Sequence, residues 1–267
     1  MNREKKGGAA KDTVPAAAAE RPSGGIGIER ESGLHRTLKF RYAGAGGRVE
    51  STLEGYVCDG ISQEGEIIEV QTGSFGPLKR KARDLATLGR VRIVYPVILR
   101  KYIEVYDTEG NRLYRRGSPR RGSEWDLFKA LIHAPELPGT SGISIELALV
   151  EVLEKRVRDG RGSWRRRGDS IVDRDLAAWR GSIDLAGEED YRRFVPFGDR
   201  ERFTAKDLAG KAGIEPALAG KTLYVLQKTG LVKRLEKKGR AWVYKTAFGV
   251  KKKGGKGPSA PLPPSRR

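Results

Sequence analysis

The apolar positions of this chain are clustered, and their spacing changes from segment to segment. Leu34 and Leu38 lie one turn apart among charged neighbours, which predicts a short helix over 29–42 that Gly44-Ala-Gly-Gly47 then breaks. Glu29 and Glu31 would fall in its first turn, where the helix dipole favours negative charge. Val49 to Asp59 alternates and predicts a strand with Val49, Leu53 and Val57 on one side. Gly60 to Gly65 supplies a turn, and Glu66 to Thr72 a second strand. There a period of two puts Ile68 and Val70 on one face, and Glu69 with Gln71 on the other. An acid in the middle of a short apolar strand is disfavoured unless something pairs with it, so Glu69 marks a candidate site.

Leu78, Ala82 and Leu85 then repeat at helical spacing within 77–88, beside Lys79, Arg80, Lys81 and Arg83. Gly89 closes that helix, and 91–97 is a nearly unbroken apolar strand. Strand, helix and strand joined by short loops imply a crossover and a parallel pair. Further on, 106–114 reads as a hairpin around Glu109-Gly-Asn111, 115–121 as a basic loop, and 124–133 as a short helix ended by Pro135 and Pro138. Ile143, Ile145, Leu147 and Leu149 alternate at the start of a long strand over 143–157. A basic knot at 163–167 and a strand over 180–185 follow.

The last third has a clearer pattern. A helix starts at 203–209 with Thr204 as N-cap, Gly213 turns the chain, and a second helix over 215–229 carries a stripe of Leu218, Thr222, Val225 and Leu226. Strands at 231–236 and 240–244 flank a turn at 237–239. Helix, turn, helix and hairpin is the order of a winged helix, a helix-turn-helix variant. The expected organisation is therefore a disordered segment (1–26), an α/β domain (27–105), a β-rich extension (106–200), a winged-helix domain (201–248) and a disordered basic tail (249–267) containing Lys251 to Lys253 and Pro261 to Pro264.

Charge narrows the partners. The 267 residues carry a formal net charge of +19, and their arginines recur throughout, so a polyanion, most simply DNA, is the expected partner. Cys58 is the only cysteine, and His35 and His133 are the only histidines, which leaves carboxylates and carbonyls as ligands for any divalent ion and points to Mg2+ or Mn2+. No apolar run has the roughly 18 residues of a membrane span, and the start lacks the apolar core of a signal peptide, so a cytoplasmic protein is expected. A homodimer is left open. His35 and His133 suit packing or solvent better than catalysis, and Trp164, among arginines, suits a core or hairpin position better than stacking on a base.

The order Asp59, nine residues, then Glu69-Val-Gln71 on consecutive strands resembles the restriction-endonuclease-like superfamily, in which an acid ends one strand and Asp or Glu, one residue and Lys follow on the next. The resemblance covers roughly 28–105, and the layout down to a terminal winged helix is similar to a group of bacterial proteins with such a domain. It implies an α/β fold with a mixed sheet. It also implies a magnesium site built from Glu31, Asp59 and Glu69, and DNA as substrate of a metal-dependent endonuclease. Asp59, Glu69 and Gln71 would be catalytic, with Lys79 or Lys81, the latter taken as the catalytic candidate, reaching back from the following helix because Gln71 replaces the usual lysine. Cys58 stands where proline often precedes the first acid. Lys79 on the helix, Lys221 and Lys228 on the second helix of the winged helix, and Lys237, Lys238 and Arg240 on its wing are the candidate phosphate contacts. The alternatives are a non-catalytic DNA-binding or regulatory protein on the same fold, and a protein-interaction module.

Overall fold

The computed structural model describes residues 31–248; the segments at 1–26 and 249–267, together with Glu29, lie outside the described residues. The first helix, α1 (Gly33–Ala43), begins later than its periodicity suggests, because Ser32 caps it by accepting the His35 amide at 3.3 Å. Glu31 therefore precedes the helix instead of lying in its first turn, and its side chain is free to reach back along it.

The stretch 48–61 is two strands and not one. β1 (Arg48–Leu53) and β2 (Tyr56–Ile61) form an antiparallel hairpin closed by Glu54 and Gly55, both with positive φ (44° and 80°). A two-residue turn with positive φ at both positions matches the twist of the strands it joins. Val57 consequently is exposed. β3 (Ile67–Val70) pairs antiparallel with β2, and α2 (Leu78–Ala86) carries the chain over to β4 (Val91–Tyr106), which runs parallel to β3 as the spacing predicts.

β4 is twice as long as its apolar half. Its outer end pairs with β5 (Arg112–Gly117) around a turn held by Asp107, and the chain returns through α3 (Leu127–Leu131) to β6 (Ile143–Arg158). β6 lies parallel to β4 from Val91↔Ile143 to Tyr106↔Val157. β7 (Asp169–Leu185), far longer than the 180–185 strand expected, runs back antiparallel along β6. The seven strands form one mixed sheet in the order β1-β2-β3-β4-β6-β7, with β5 continuing the edge beyond β3. The boundary drawn at 105/106 thus falls inside a continuous sheet.

Alternate residues of the sheet feed two apolar cores. Ile68, Val70, Val94, Ala148, Val150 and Val152 meet Leu34 and Leu38 of α1 on one face. Ile67, Ile93, Ile145 and Leu147 meet α2, α3 and the C-terminal helices on the other. The two α1 leucines are essentially fully buried, worth about 1.5–3 kcal/mol each. The C-terminal segment is β8 (Phe203–Thr204), α4 (Ala205–Ala212), α5 (Pro216–Thr229), β9 (Val232–Lys238) and β10 (Ala241–Thr246), whose strands form a second sheet in the order β8-β10-β9. Thr204 caps α4 as expected, and the Leu218, Thr222, Val225 and Leu226 stripe of α5 is buried in the same core as Trp125, Phe128 and Leu131. Among the described residues no helix is long and apolar enough to cross a membrane.

Neither apolar cluster extends along β6 past Val152, and charge pairing replaces apolar packing there. Glu154, with no exposed surface, accepts from Arg156 Nη2 at 2.5 Å and from Lys101 Nζ and Arg174 Nε at 3.0 Å each. Burial works against its charge, but these donors outweigh it and hold the carboxyl down at about 2. Removing one partner of a buried ion network costs about 3–5 kcal/mol. Glu154→Gln is expected to lower unfolding stability by that order in urea titrations at pH 7. Because the folded value lies below the ordinary 4.5, the wild-type contribution is present in full above that pH and disappears as the pH falls through about 2.

Candidate functional site

Asp59 and Glu69 occupy the end of the β2–β3 ladder. The last paired residues are Gly60↔Ile68, and one step further the Asp59 Oδ2 takes the place of a strand partner by accepting the Val70 amide at 2.7 Å. From there the two acids diverge. Glu69 alternates with Ile68 and Val70, which face α1, so its own side chain lies on the α2 side. Asp59 turns toward α1.

Glu31, His35 and Lys39, spaced four apart, meet it there. Lys39 is buried, and its ammonium lies 2.9 Å from Glu31 Oε1, 2.9 Å from Glu50 Oε1 and 3.5 Å from Asp59 Oδ1. Burial alone would lower its pKa; the Glu50, Glu31 and Asp59 carboxylates raise it above the ordinary lysine value. His35 sits between oxygens, with Nδ1 2.7 Å from Glu31 Oε1 and Nε2 2.8 Å from the Val70 carbonyl and 3.3 Å from Asp59 Oδ2. A carbonyl and an ionised carboxylate can only accept, so this arrangement favours the protonated ring, with both nitrogens donating. Burial opposes that charge, and Asp59 outweighs it, raising the His35 pKa. Asp59 moves in the opposite sense: burial disfavours its charge, but His35, the Val70 amide and Lys39 hold its pKa below the ordinary value.

On the other face Glu69 is buried, and Lys81 Nζ lies 2.7 Å from its Oε2 and 2.6 Å from its Oε1, while also donating to the Val57 carbonyl at 2.6 Å. Only the Oε2 contact is aligned as a hydrogen bond, and Oε1 is left without a directed donor. Burial therefore prevails over Lys81 and pushes Glu69 up to about 7.

The predicted residues separate accordingly. Glu31 and Asp59 share Lys39 and His35; Glu69 and Lys81 form a second pair. Gln71 joins neither, because its amide donates to the Ser74 carbonyl at 2.6 Å and its backbone amide to Val94. Lys79 pairs with Glu136 at 2.5 Å. Lys228, Lys237, Lys238 and Arg240 are exposed on α5 and the β9–β10 hairpin, with Lys221 half-buried and Lys237 5.0 Å from the Trp242 ring. His133 is exposed, and Trp164 is 82% exposed and so outside any core. His35 and Lys39 are the members that the sequence reading missed, although the four-residue spacing Glu31, His35, Lys39 was the signal for them.

An undirected Glu69 oxygen is the kind of atom a cation would satisfy, but an ammonium already stands against it. Asp59 likewise faces the His35 ring and an ammonium. Among the described residues no three His, Cys, Asp or Glu side chains are grouped to hold a metal ion. As arranged, these side chains do not fit magnesium.

The fold and the site define a mixed α/β protein with a charged cluster at the end of its β2–β3 hairpin. Residues 32–186 match a family described as a domain of unknown function (DUF8091), and the chain belongs to that family. An uncharacterized protein of Treponema pallidum (strain Nichols) is 30% identical over 217 residues, covering 81% of this chain and 85% of its own. No solved structure matches. The family segment begins at the Ser32 cap and ends just past Leu185, so it coincides with the seven-stranded sheet and its α1 and α2 cover.

Asp59→Asn is expected to lower the His35 pKa, read from its imidazole proton shifts across a pH series. An unchanged titration would remove Asp59 as its partner. In the wild type the stability that charged His35 contributes is complete below about 6.5 and is lost as the pH rises through its raised value.

Proposed function

We propose that this is a DNA-binding protein that keeps a restriction-endonuclease-like core without using it for hydrolysis. The observation that carries the reading is the internal neutralisation of the acids: Asp59 is engaged by His35 and Lys39, and Glu69 by Lys81. Acids held this way serve as structural counter-ions, while the net charge of +19 remains available to a polyanion. A winged-helix module formed by α4, α5 and the β9–β10 hairpin would present Tyr224 and Lys228 from the exposed stripe of α5, and Lys237, Lys238 and Arg240 from its wing. Arg234 and Lys237 stacked on Trp242, at 4.0 and 5.0 Å, support a wing held stiffly enough to lie along a phosphate backbone.

A second reading, magnesium-dependent endonuclease action, is favoured by Lys81. It stands against Glu69 although Gln71 fills the position where the superfamily carries lysine. That reading requires His35 and Lys39 to withdraw from Asp59.

Plasmid, single-strand and branched DNA are expected to remain uncut in magnesium or manganese, while duplex binding weakens steeply with salt, as phosphate contacts require. Cleavage that Asp59→Asn or Glu69→Gln abolishes would replace the first reading with the second. Because Glu69 has a raised folded value, the stability it contributes is complete below 4.5 and is lost as the pH rises through about 7. Glu69→Gln is therefore expected to improve stability relative to wild type more at pH 8 than at pH 5, measured by thermal unfolding.

A further inference from the structure

At the far end of the sheet the β6–β7 connection folds over the tip of β5 and encloses a basic pocket of about 670 Å³, lined by six arginines and a single acid, Asp169. The acid is spent, since Asp169 is buried and accepts from Arg158 Nε at 3.2 Å. One further arginine of the lining, Arg156, is committed to Glu154. Among the described residues no carboxylate lies within ion-pair distance of Arg116, Arg165, Arg166 or Arg167. Arginines gathered on one pocket without a carboxylate partner leave their donors to an anion.

The loop is built to hold them there. Asp159 accepts the Arg161 amide at 3.0 Å and the Ser170 hydroxyl at 2.8 Å, the Gly162 amide donates to the Gly168 carbonyl at 2.8 Å, and Arg166 Nε donates to the Asp169 carbonyl at 3.1 Å. A Cβ on Gly162 would lie 1.9 Å from the Asp169 carbonyl oxygen, so only glycine permits this close approach. Arg167 itself adopts a left-handed backbone (φ 56°), which turns the chain back into β7.

Two aromatic faces stand near the charge, Tyr114 in the pocket lining and Trp164 outside it, next in sequence to Arg165. Trp164 is 82% exposed with the Arg165 guanidinium 5.5 Å from its ring, and Tyr114 is 37% exposed with the Arg158 guanidinium 5.6 Å away. Exposing a tryptophan to this extent forfeits the burial of a large apolar surface, and the phosphates of a duplex offer it nothing to stack on. Unpaired bases do, because every base has a π-face. The volume, within the range of small-molecule sites, also suits a nucleotide unit better than a bare inorganic anion.

We infer that this pocket binds single-stranded nucleic acid, with Arg116, Arg165, Arg166 and Arg167 on the phosphates and Trp164 and Tyr114 against unpaired bases. This rests on the nucleic-acid reading above and adds to it a site distinct from the wing.

The test is fluorescence anisotropy of the full chain with a labelled oligothymidylate of about 16 nucleotides, the upper end of single-strand site sizes, and with a duplex as second probe. Trp164→Ala should weaken oligothymidylate binding about 5- to 140-fold, the loss of one stacked base, and leave duplex binding within about twofold. Replacing Arg165 and Arg167 together by Ala should reduce the slope of log affinity against log salt by about 1.4, or 0.7 per phosphate contact. Trp164 is exposed, so its variant is expected to fold, and an unchanged circular dichroism melt verifies this. Equal loss for both probes, no loss for either, or displacement of the oligonucleotide by polyglutamate as readily as by unlabelled oligothymidylate would overturn the inference while leaving the DNA-binding reading intact. Failure of the wild type to bind either probe would overturn both.

Discussion

The parallel pairing of β4 with β6 is the constraint on which the rest of this structure depends. It runs from Val91↔Ile143 to Tyr106↔Val157 with one bulge between Ile98 and Arg100, and the two strands form a single spine from the helical core to the sheet tip. Near its start, alternate side chains supply both apolar faces, and β3 docks on β4 through four register pairs, which sets the acids at its end. Past Val152 neither apolar cluster continues along β6. The strands are tied together around and beyond that point because Glu104 accepts from Arg112 of β5, Glu151 from Tyr102 of β4 and Arg180 of β7, and Glu154 from Lys101 of β4. Such networks give little net stability compared with apolar packing, but they make the register costly to shift, since a slip of one residue would strand every buried charge on the wrong face.

The same accounting explains the candidate site. Burying a carboxylate without a partner is prohibitive, and the chain solves that problem twice with different results. Asp59 receives a backbone amide, the His35 ring and an ammonium, and is held ionised. Glu69 receives one lysine, leaving an oxygen undirected, and its proton affinity rises. Two acids one register step beyond the same ladder therefore differ in kind because α1 offers its acid two side-chain donors and α2 only one.

Several elements were legible because local pattern and tertiary environment agree. α2, the apolar half of β4, β6, and the helices α4 and α5 all follow their hydrophobic period, and Thr204 caps where its side chain chemistry predicts. The β1–β2 hairpin was read as one strand because Val49, Leu53 and Val57 keep the same parity across the turn, and Glu54-Gly55 lacks the asparagine or aspartate that usually announces one. The outer halves of β4 and β7 were shortened for a different reason. Their buried positions include charges, and an apolar period cannot report burial achieved by ion pairs. At the site, Glu69 could be anticipated from strand parity, whereas Asp59 and Lys81 entered through the resemblance to the nuclease-like motif. The role of Lys39 could not be read from its own type, since a lysine on a short amphipathic helix is ordinarily solvated; only its alignment with Glu31 and His35 distinguishes it.

The length of the spine also separates the two charged regions. Glu69 lies level with Ile93 of β4, and the arginine loop lies beyond Tyr106, thirteen residues further along. At ~3.3 Å per residue the path along β4 is about 40 Å, but α1 shortens it, because its Gly33 amide donates to Asp173 of β7 at 2.9 Å while His35 Nε2 lies 2.8 Å from the Val70 carbonyl. Asp173 stands four residues from Asp169 of the arginine pocket, so α1 reaches from the acidic cluster towards the tip. The two regions are therefore joined through α1 as well as through the spine, since the helix that carries His35 and Lys39 to Asp59 also bonds β7 at Asp173.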